Sequence, residues 1–210
     1  MKKKLDAIYI VSLKKFYKKE NELRTYGGFP IYLKMLESKF RKIILIVPKS
    51  PLPFESSIKL NNKIYEVKFL PYYSNELLLI LKSPIIIFWL LIYLLPAKYV
   101  NPRIPDMTGI YGLIISIILK KKIFISIQSD IQELIQSKNF TSRNNFIKYG
   151  LKKWLSLYLF LEKNFSRNIL CFPQGVALFN RFSSNKKAIL WYSTSIKDSF
   201  IDKNKKLFNL

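Results

Sequence analysis

The sequence has no histidine and a single cysteine among its 210 residues. Without histidine, the chain has no Ser-His or Cys-His nucleophile pair, and with one cysteine it forms no intrachain disulfide. A zinc site is not expected, because the usual ligands are missing. Cys171 lies among apolar residues, which is typical of a core position, and this cysteine content fits a reducing compartment. We therefore predict no metal site and no cofactor.

Acidic residues are also scarce, since 13 Asp and Glu stand against 36 Lys and Arg and give a net charge of +23. Lysine, isoleucine and asparagine are abundant together, a bias typical of AT-rich genomes that explains part of the excess charge. The remainder predicts affinity for an anionic surface, either nucleic acid or the cytoplasmic leaflet of a membrane. Half of the residues are apolar, which argues against disorder and suffices for the core of one α/β domain.

No uninterrupted apolar run is long enough to span a bilayer. The longest candidate, Leu77–Leu95, contains Lys82 and Pro84. A charge at a helix centre in lipid costs about 2.5–3.5 kcal/mol, and the proline splits the run. We therefore favour a crossover helix with a membrane-facing or core-facing surface over a true span. The apolar residues 7–11 are too few for a signal peptide and predict a first buried strand.

Short apolar segments alternate with helix-like segments along the chain. The predicted strands are 7–12, 42–47, 64–70, 98–100, 123–128, 169–172 and 188–192. The predicted helices are 29–38, 75–95 with a break near Ser83-Pro84, 109–119, 144–165 and 176–182, and 13–26 is predicted as a loop. This alternation predicts an α/β, Rossmann-like fold, with a mostly parallel sheet and helices on both faces. We expect one domain over 1–197, followed by a polar tail or the start of an interdomain linker over 198–210.

Glycines and polar residues follow several predicted strands, at the edge where parallel sheets bind ligands. Gly27 and Gly28 precede the first helix, where paired glycines let backbone N–H groups approach a ligand, and a plain turn explains them equally well. No glycine-rich nucleotide-binding motif is present. Arg103 follows the fourth predicted strand, beside Asn101, and a guanidinium there can clamp a phosphate. The alternative for Arg103 is a solvated loop residue.

Two further candidates follow the fifth and sixth predicted strands. Asp130 is placed to accept a proton from a hydroxyl substrate, and the alternative is a helix N-cap for residues 131–136. Gln174 and Gly175 follow the sixth strand, and the alternative is a simple strand end before a short helix. Because these strands end at the same edge of the predicted sheet, we expect the candidate residues to surround a common cleft.

Several segments recur in an order that is typical of a known family. They are Tyr26-Gly27-Gly28-Phe29, the strand 42–48, Asn101-Pro102-Arg103-Ile104-Pro105 with Gly109, the segment 125–130, Phe172-Pro173-Gln174-Gly175 and Ser193-Thr194-Ser195-Ile196. Over residues 5–200 this order resembles the N-terminal half of a GT-B glycosyltransferase of the family 4 type. The resemblance implies a single acceptor-binding lobe that needs no metal. It also implies that Asp130 lies near the acceptor hydroxyl as the catalytic residue, and that Gly27-Gly28 faces the donor phosphates and the acceptor.

The chain departs from that family because it lacks the donor-site arginine/lysine and E-x7-E signature. We therefore expect the acceptor-binding half of a hexosyltransferase for cell-surface polysaccharide or glycolipid synthesis, truncated or split and inactive alone. A nucleotide-sugar donor would require a second domain. The expected partners are a separate donor-binding subunit, an anionic membrane surface and a lipid-linked or glycan acceptor, and the expected location is cytoplasmic, peripheral to the inner membrane.

Two alternatives come from other functional classes. The first is a non-catalytic, membrane-associated scaffold that recruits a donor-binding subunit. The second is a basic nucleic-acid-binding protein, which the net charge supports. We favour the second less, because the lysines are spread through loops and no known nucleic-acid-binding module is present.

Overall fold

The computed structural model describes residues 4–19, 22–25, 29–50, 58–60, 63–73, 76–128, 153, 156–160, 169–182 and 187–190. The strands are β1 Leu5–Val11, β2 Tyr17–Lys19, β3 Glu22–Thr25, β4 Phe40–Pro48, β5 Ile58–Leu60, β6 Tyr65–Leu70, β7 Tyr99–Ile104, β8 Lys122–Ile127 and β9 Leu170–Pro173. The helices are α1 Phe29–Glu37, α2 Glu76–Leu81, α3 Ser83–Leu94, α4 Met107–Ile118 and α5 Val176–Arg181.

A six-stranded sheet in the order β6-β4-β1-β7-β8-β9 forms the centre of the molecule. Every neighbouring pair in this sheet is parallel. Counted by their appearance in the chain, these strands follow the order 3-2-1-4-5-6, which is the doubly wound arrangement. The predicted α/β, Rossmann-like fold is thereby confirmed. The strand order reverses between β1 and β7, which makes the carboxyl ends of these two strands the topological switch point.

Apolar cores cover both faces of the sheet, and β1 shows how the residues divide. Because side chains alternate along a strand, Ile8 and Ile10 enter the core that contains α1, whereas Tyr9 and Val11 enter the core beneath α3. A third core joins α4 and α5 to the far half of the sheet around Ile125.

A small antiparallel sheet lies beside the main one and corrects the prediction for residues 13–26. That segment is not simply a loop, since it contains β2 and β3, which pair with each other. β3 also pairs with β5, a strand distant in sequence. Such pairing leaves little local signal, because the segment is rich in lysine and has no clear apolar alternation. Its Leu23 nevertheless reaches the core that contains α1.

Strand β7 is longer than predicted and carries Asn101, Pro102 and Arg103 inside the sheet. A proline inside a central strand removes a backbone donor, which is why the sequence predicts an end there. The register places Pro102 opposite residue 125 of β8, so a backbone N–H at Pro102 would reach the Phe124 carbonyl. The Asn101 side chain donates to that carbonyl at 2.7 Å instead. The strand therefore continues through the proline because a side chain replaces the missing donor.

The apolar crossover forms two helices, α2 and α3, separated at Lys82, as the sequence predicts. Pro84 lies in the first turn of α3, where its missing N–H costs little. In the part of the chain that the structure describes, no helix is both long and apolar enough to cross a membrane.

Two other predicted elements lie partly outside the described residues. Of the predicted helix 144–165, residues 156–160 are helical. Of the predicted strand 188–192, Ala188 forms a parallel bridge to Cys171, and residues 191–192 lie outside the described part.

Gly112 lies where α4 crosses β1, and this contact generates a test of the packing. A Cβ at Gly112 would lie 2.8 Å from Val11 Cγ1. Helix propensity alone favours alanine over glycine by about 1 kcal/mol and would raise the stability. A loss of stability on substitution therefore indicates the close contact with Val11. We expect Gly112→Ala to lower the free energy of unfolding by about 1–3 kcal/mol in urea denaturation. Met35→Ala on exposed α1 surface is the control, and an unchanged or higher value for Gly112→Ala contradicts the contact.

Candidate functional site

The switch point is built from the chain that leaves β1 and the chain that leaves β7. Residues 12–14 follow β1, and residues 105–106 connect β7 to α4. Strand ends and helix starts leave backbone polar groups unpaired at such an edge, which is why ligands bind there in open α/β sheets. The helix α1 begins nearby, on the face of the sheet that Arg103 shares with Phe29.

Arg103 has the most unusual environment of the predicted site residues. It is 5% exposed, and its Nε and Nη1 atoms have no hydrogen-bond partner among the described residues. Its Cζ lies 3.8 Å from the ring centroid of Phe29 and 5.3 Å from that of Tyr32. A desolvated cation–π contact contributes about 2 kcal/mol, which is less than the several kcal/mol that burial of a charge costs. Burial lowers the pKa of Arg103 to about 10, so the side chain remains charged at neutral pH.

Asp106 connects the two sides of the switch point. Its Oδ2 accepts a hydrogen bond from the Leu13 N–H at 2.9 Å, and its Oδ1 accepts from Gly109 N at 2.5 Å and from Thr108 Oγ1 at 2.9 Å. It is thereby the N-cap of α4 and also holds the end of β1. Burial raises the pKa of Asp106 to about 6, against the opposing effect of these hydrogen bonds. Within the described residues no ion pair joins Asp106 to Arg103, although the two charges attract each other at longer range.

Lys14 adds a second cation to this region. It is partly buried, and its backbone N–H donates to Ser12 Oγ at 3.1 Å. Burial lowers the pKa of Lys14, and the nearby positive charge of Arg103 lowers it further. Lys14 directly follows Leu13, whose N–H bonds Asp106 beyond the end of β7, so both cations belong to the switch point, an arrangement that an anionic ligand would stabilise.

Asn101 holds a buried polar cluster rather than facing an opening. It is fully buried, its Oδ1 accepts from Tyr32 Oη at 2.5 Å, and its Nδ2 lies 3.0 Å from Ser126 Oγ. Burial raises the pKa of Tyr32 to about 12, so its hydroxyl remains a donor. The geometry thus gives Asn101 the role of positioning Tyr32, which in turn lies against Arg103. The predicted substrate contact of Asn101 stays a prediction.

Gln174 and Gly175 lie at the same edge of the sheet, beyond β9 and two strands away from β7. The Gln174 N–H donates to the Ile127 carbonyl at 2.8 Å, which continues the pairing with β8. Gly175 has a φ of 87° and begins α5. A Cβ at Gly175 would meet nothing within 4 Å, so its backbone conformation, and not a close approach, favours glycine. Substrate binding by this pair stays a prediction.

The remaining predicted site residues, Gly27, Gly28 and Asp130, lie outside the described residues. Among the residues that are described, no group of three or more His, Cys, Asp or Glu side chains is arranged to hold a metal ion.

Sequence reasoning did not single out Lys14 and Asp106 as members of the site. The sequence does contain a signal for Asp106, because an aspartate shortly before a predicted helical segment is typical of a helix N-cap. Lys14 follows the first predicted strand closely, but its importance depends on β1 and β7 being neighbours. That adjacency becomes visible when the strand order is known.

No protein-family model matches the chain, and comparison with curated proteins finds no significant match. Chemically, the switch point combines two cations with a hydrogen-bonded carboxylate, which suits a ligand that carries an anionic group and hydroxyls.

The raised pKa of Asp106 leads to a pH prediction. The folded protein holds this proton more tightly than the unfolded chain, so the contribution of Asp106 to stability is present near pH 4 and is lost as the pH rises through about 6. We expect the stability of the wild type relative to Asp106→Asn to fall by about 2 kcal/mol between about pH 4 and about pH 7. Urea denaturation of both proteins at the two pH values measures this. A difference that does not change with pH would show that Asp106 titrates normally.

Proposed function

We propose that the chain is the acceptor-binding half of a glycosyltransferase for cell-surface polysaccharide or glycolipid synthesis. The observation that carries the proposal is the buried Arg103, whose Nε and Nη1 lack hydrogen-bond partners among the described residues, at the switch point of a doubly wound sheet. Lobes of this kind bind ligands at that point. Lipid-linked acceptors carry phosphate groups, which a guanidinium recognises. The ordered segments that resemble GT-B enzymes support the same assignment.

In this proposal the nucleotide-sugar donor is bound by a second domain or by a separate subunit, because the sequence lacks the donor-half signature. Asp130 is the proposed catalytic residue, since it follows β8, the strand beside β7. Gly27 and Gly28 are proposed to face the ligands because they directly precede α1. No metal takes part in the proposed reaction.

Exposed apolar side chains on the crossover support peripheral binding to an anionic membrane. The exposed members are Ile80, Leu81, Ile85, Ile87, Phe88, Trp89, Leu91, Ile92 and Leu95, here called the crossover face. Folded proteins seldom expose so many large apolar groups on one segment unless they bind something there. Lys82 lies between Leu81 and Ile85 and donates to the Tyr72 carbonyl, and Lys121 donates to the Leu95 carbonyl at the end of the segment. Lysines at a membrane surface contribute about 1 kcal/mol each when the lipid is anionic.

Binding of a lipid-linked acceptor tests the proposed function directly. Purified chain is mixed with vesicles of phosphatidylcholine and phosphatidylglycerol, with or without undecaprenyl diphosphate linked to N-acetylglucosamine. We expect the lipid-linked sugar to raise the fraction that floats with the vesicles several-fold at high salt, where general charge attraction is screened. We also expect no sugar transfer when nucleotide-sugars are added to the chain alone.

Two results would contradict this proposal. Equal flotation with and without the lipid-linked sugar would reject acceptor binding. Robust transfer by the chain alone would reject the assignment as half of an enzyme. Duplex DNA in place of vesicles is the comparison for the nucleic-acid alternative, which tighter binding to DNA at the same salt would favour.

The crossover face has its own test, in which the variant and its control remove similar apolar surface. Phe88 is 57% exposed on α3, and Met35 is 54% exposed on α1. We expect Phe88→Asp to lower the vesicle partition coefficient about tenfold, because an apolar side chain no longer enters the lipid. Met35→Asp introduces the same charge on the other face of the sheet, and we expect it to have a much smaller effect. Equal effects of the two would leave charge alone as the cause and reject the crossover face as the membrane contact.

The same variant, assayed for assembly with a donor-binding subunit as well as for vesicle binding, tests the scaffold alternative, which the crossover face also suits. If Phe88→Asp leaves vesicle binding intact but prevents assembly with a donor-binding subunit, the crossover face is a protein-docking surface and not a membrane contact.

A further inference from the structure

We propose that Arg103 and Lys14 form a binding site for a phosphate or diphosphate group at the switch point. The site deepens the proposed function by naming the part of the ligand that is held, and it rests on that function for the identity of the acceptor alone. Phosphate binding itself is tested without any sugar transfer.

Among the described residues, the side chains packed against Arg103 give its Nε and Nη1 no hydrogen-bond acceptor. The aromatic ring of Phe29 covers the guanidinium at 3.8 Å, and the Tyr32 ring lies 5.3 Å away. The Tyr32 hydroxyl bonds to Asn101, which leaves it occupied elsewhere. Aromatic faces attract a cation but accept no in-plane hydrogen bonds from Nε and Nη1. A buried guanidinium in this state is pre-organised for an oxyanion.

Asp106 does not take the place of that oxyanion. Both of its carboxylate oxygens accept hydrogen bonds from other groups, namely the Leu13 N–H, the Gly109 N–H and the Thr108 hydroxyl. Its charge attracts Arg103 without a direct contact, and moving it toward Arg103 would break the cap of α4. Asp106 therefore leaves the Nε and Nη1 donors of Arg103 without a hydrogen-bond partner among the described residues.

The positive groups at the switch point also match the shape and charge of a phosphate. Arg103 offers a planar pair of N–H donors, which matches two phosphate oxygens, and Lys14 adds a point charge from the segment that Asp106 holds at Leu13. The start of α1 at Phe29 adds partial positive charge from its backbone on the same side of the sheet. A phosphate with up to two negative charges fits this combination better than a single carboxylate does.

A phosphate group of this kind has two possible sources, a lipid-linked acceptor or a soluble nucleotide. The site chemistry is the same for both, so the test uses three probes: inorganic pyrophosphate, geranyl diphosphate and uridine diphosphate. Tighter binding of geranyl diphosphate than of pyrophosphate assigns the site to the lipid-linked ligand. Tighter binding of uridine diphosphate assigns it to the nucleotide.

The experiment is isothermal titration calorimetry of the full chain at constant ionic strength, with circular dichroism to verify folding of each variant. We expect saturable pyrophosphate binding by the wild type. We expect Arg103→Met to weaken it about tenfold or more and Lys14→Gln to weaken it several-fold. Lys39→Gln is the control, because Lys39 is exposed and precedes β4, at the opposite edge of the sheet. It should change the affinity little although it removes the same charge as Lys14→Gln.

Arg103→Met should fold, since an apolar side chain replaces a buried charge whose Nε and Nη1 lack partners among the described residues. If it does not fold, the comparison of Lys14→Gln with Lys39→Gln decides the question. Absence of saturable binding by the wild type overturns the site, and so do equal losses in Lys14→Gln and Lys39→Gln, which would indicate general charge attraction. If pyrophosphate binds but the lipid-linked sugar does not increase flotation with vesicles, the phosphate site is retained and the acceptor role is rejected.

Discussion

The switch point depends on the carboxylate of Asp106. One of its oxygens holds the backbone that leaves β1, at Leu13, and the other caps the first turn of α4, at Gly109. A Cβ at Gly109 would overlap the backbone carbonyl of Arg103, so the helix can approach β7 this closely because glycine is there. The buried carboxylate of Asp106 and the glycine at position 109 thus bring the ends of β1 and β7 and the start of α4 together.

The second constraint is the polar cluster that surrounds Pro102. Proline breaks the backbone pairing with β8, and the Asn101 side chain repairs it at the Phe124 carbonyl. The same side chain accepts a hydrogen bond from the Tyr32 hydroxyl, and this bond holds the Tyr32 ring beside Arg103. The side chain of Asn101 therefore both continues the pairing of β7 with β8 and positions the Tyr32 ring beside Arg103. This coupling explains why a fully buried polar residue is tolerated in the middle of the sheet.

Much of the fold is readable from local patterns. Apolar runs such as 42–47 and 123–128 predict buried strands because both of their faces are covered, and the 3.6-residue period from Phe29 predicts α1. The break in the crossover is predicted by Pro84, since a proline cannot continue a helix. The predictions fail where the decisive interaction is distant in sequence. β3 pairs with β5, and β7 continues beyond Val100 because a side chain replaces a backbone donor.

The sequence by itself determined the fold class, the absence of histidine chemistry and the importance of the strand ends, because periodicity, composition and turn residues act locally. It also singled out Arg103 as a candidate cation. Only the tertiary structure decided that Arg103 is buried, that the segment carrying Lys14 is held beside β7 through Leu13, and that Asp106 is occupied in capping α4. The physical reason is that burial and charge proximity depend on which strands are neighbours, and strand order results from packing between segments distant in the chain.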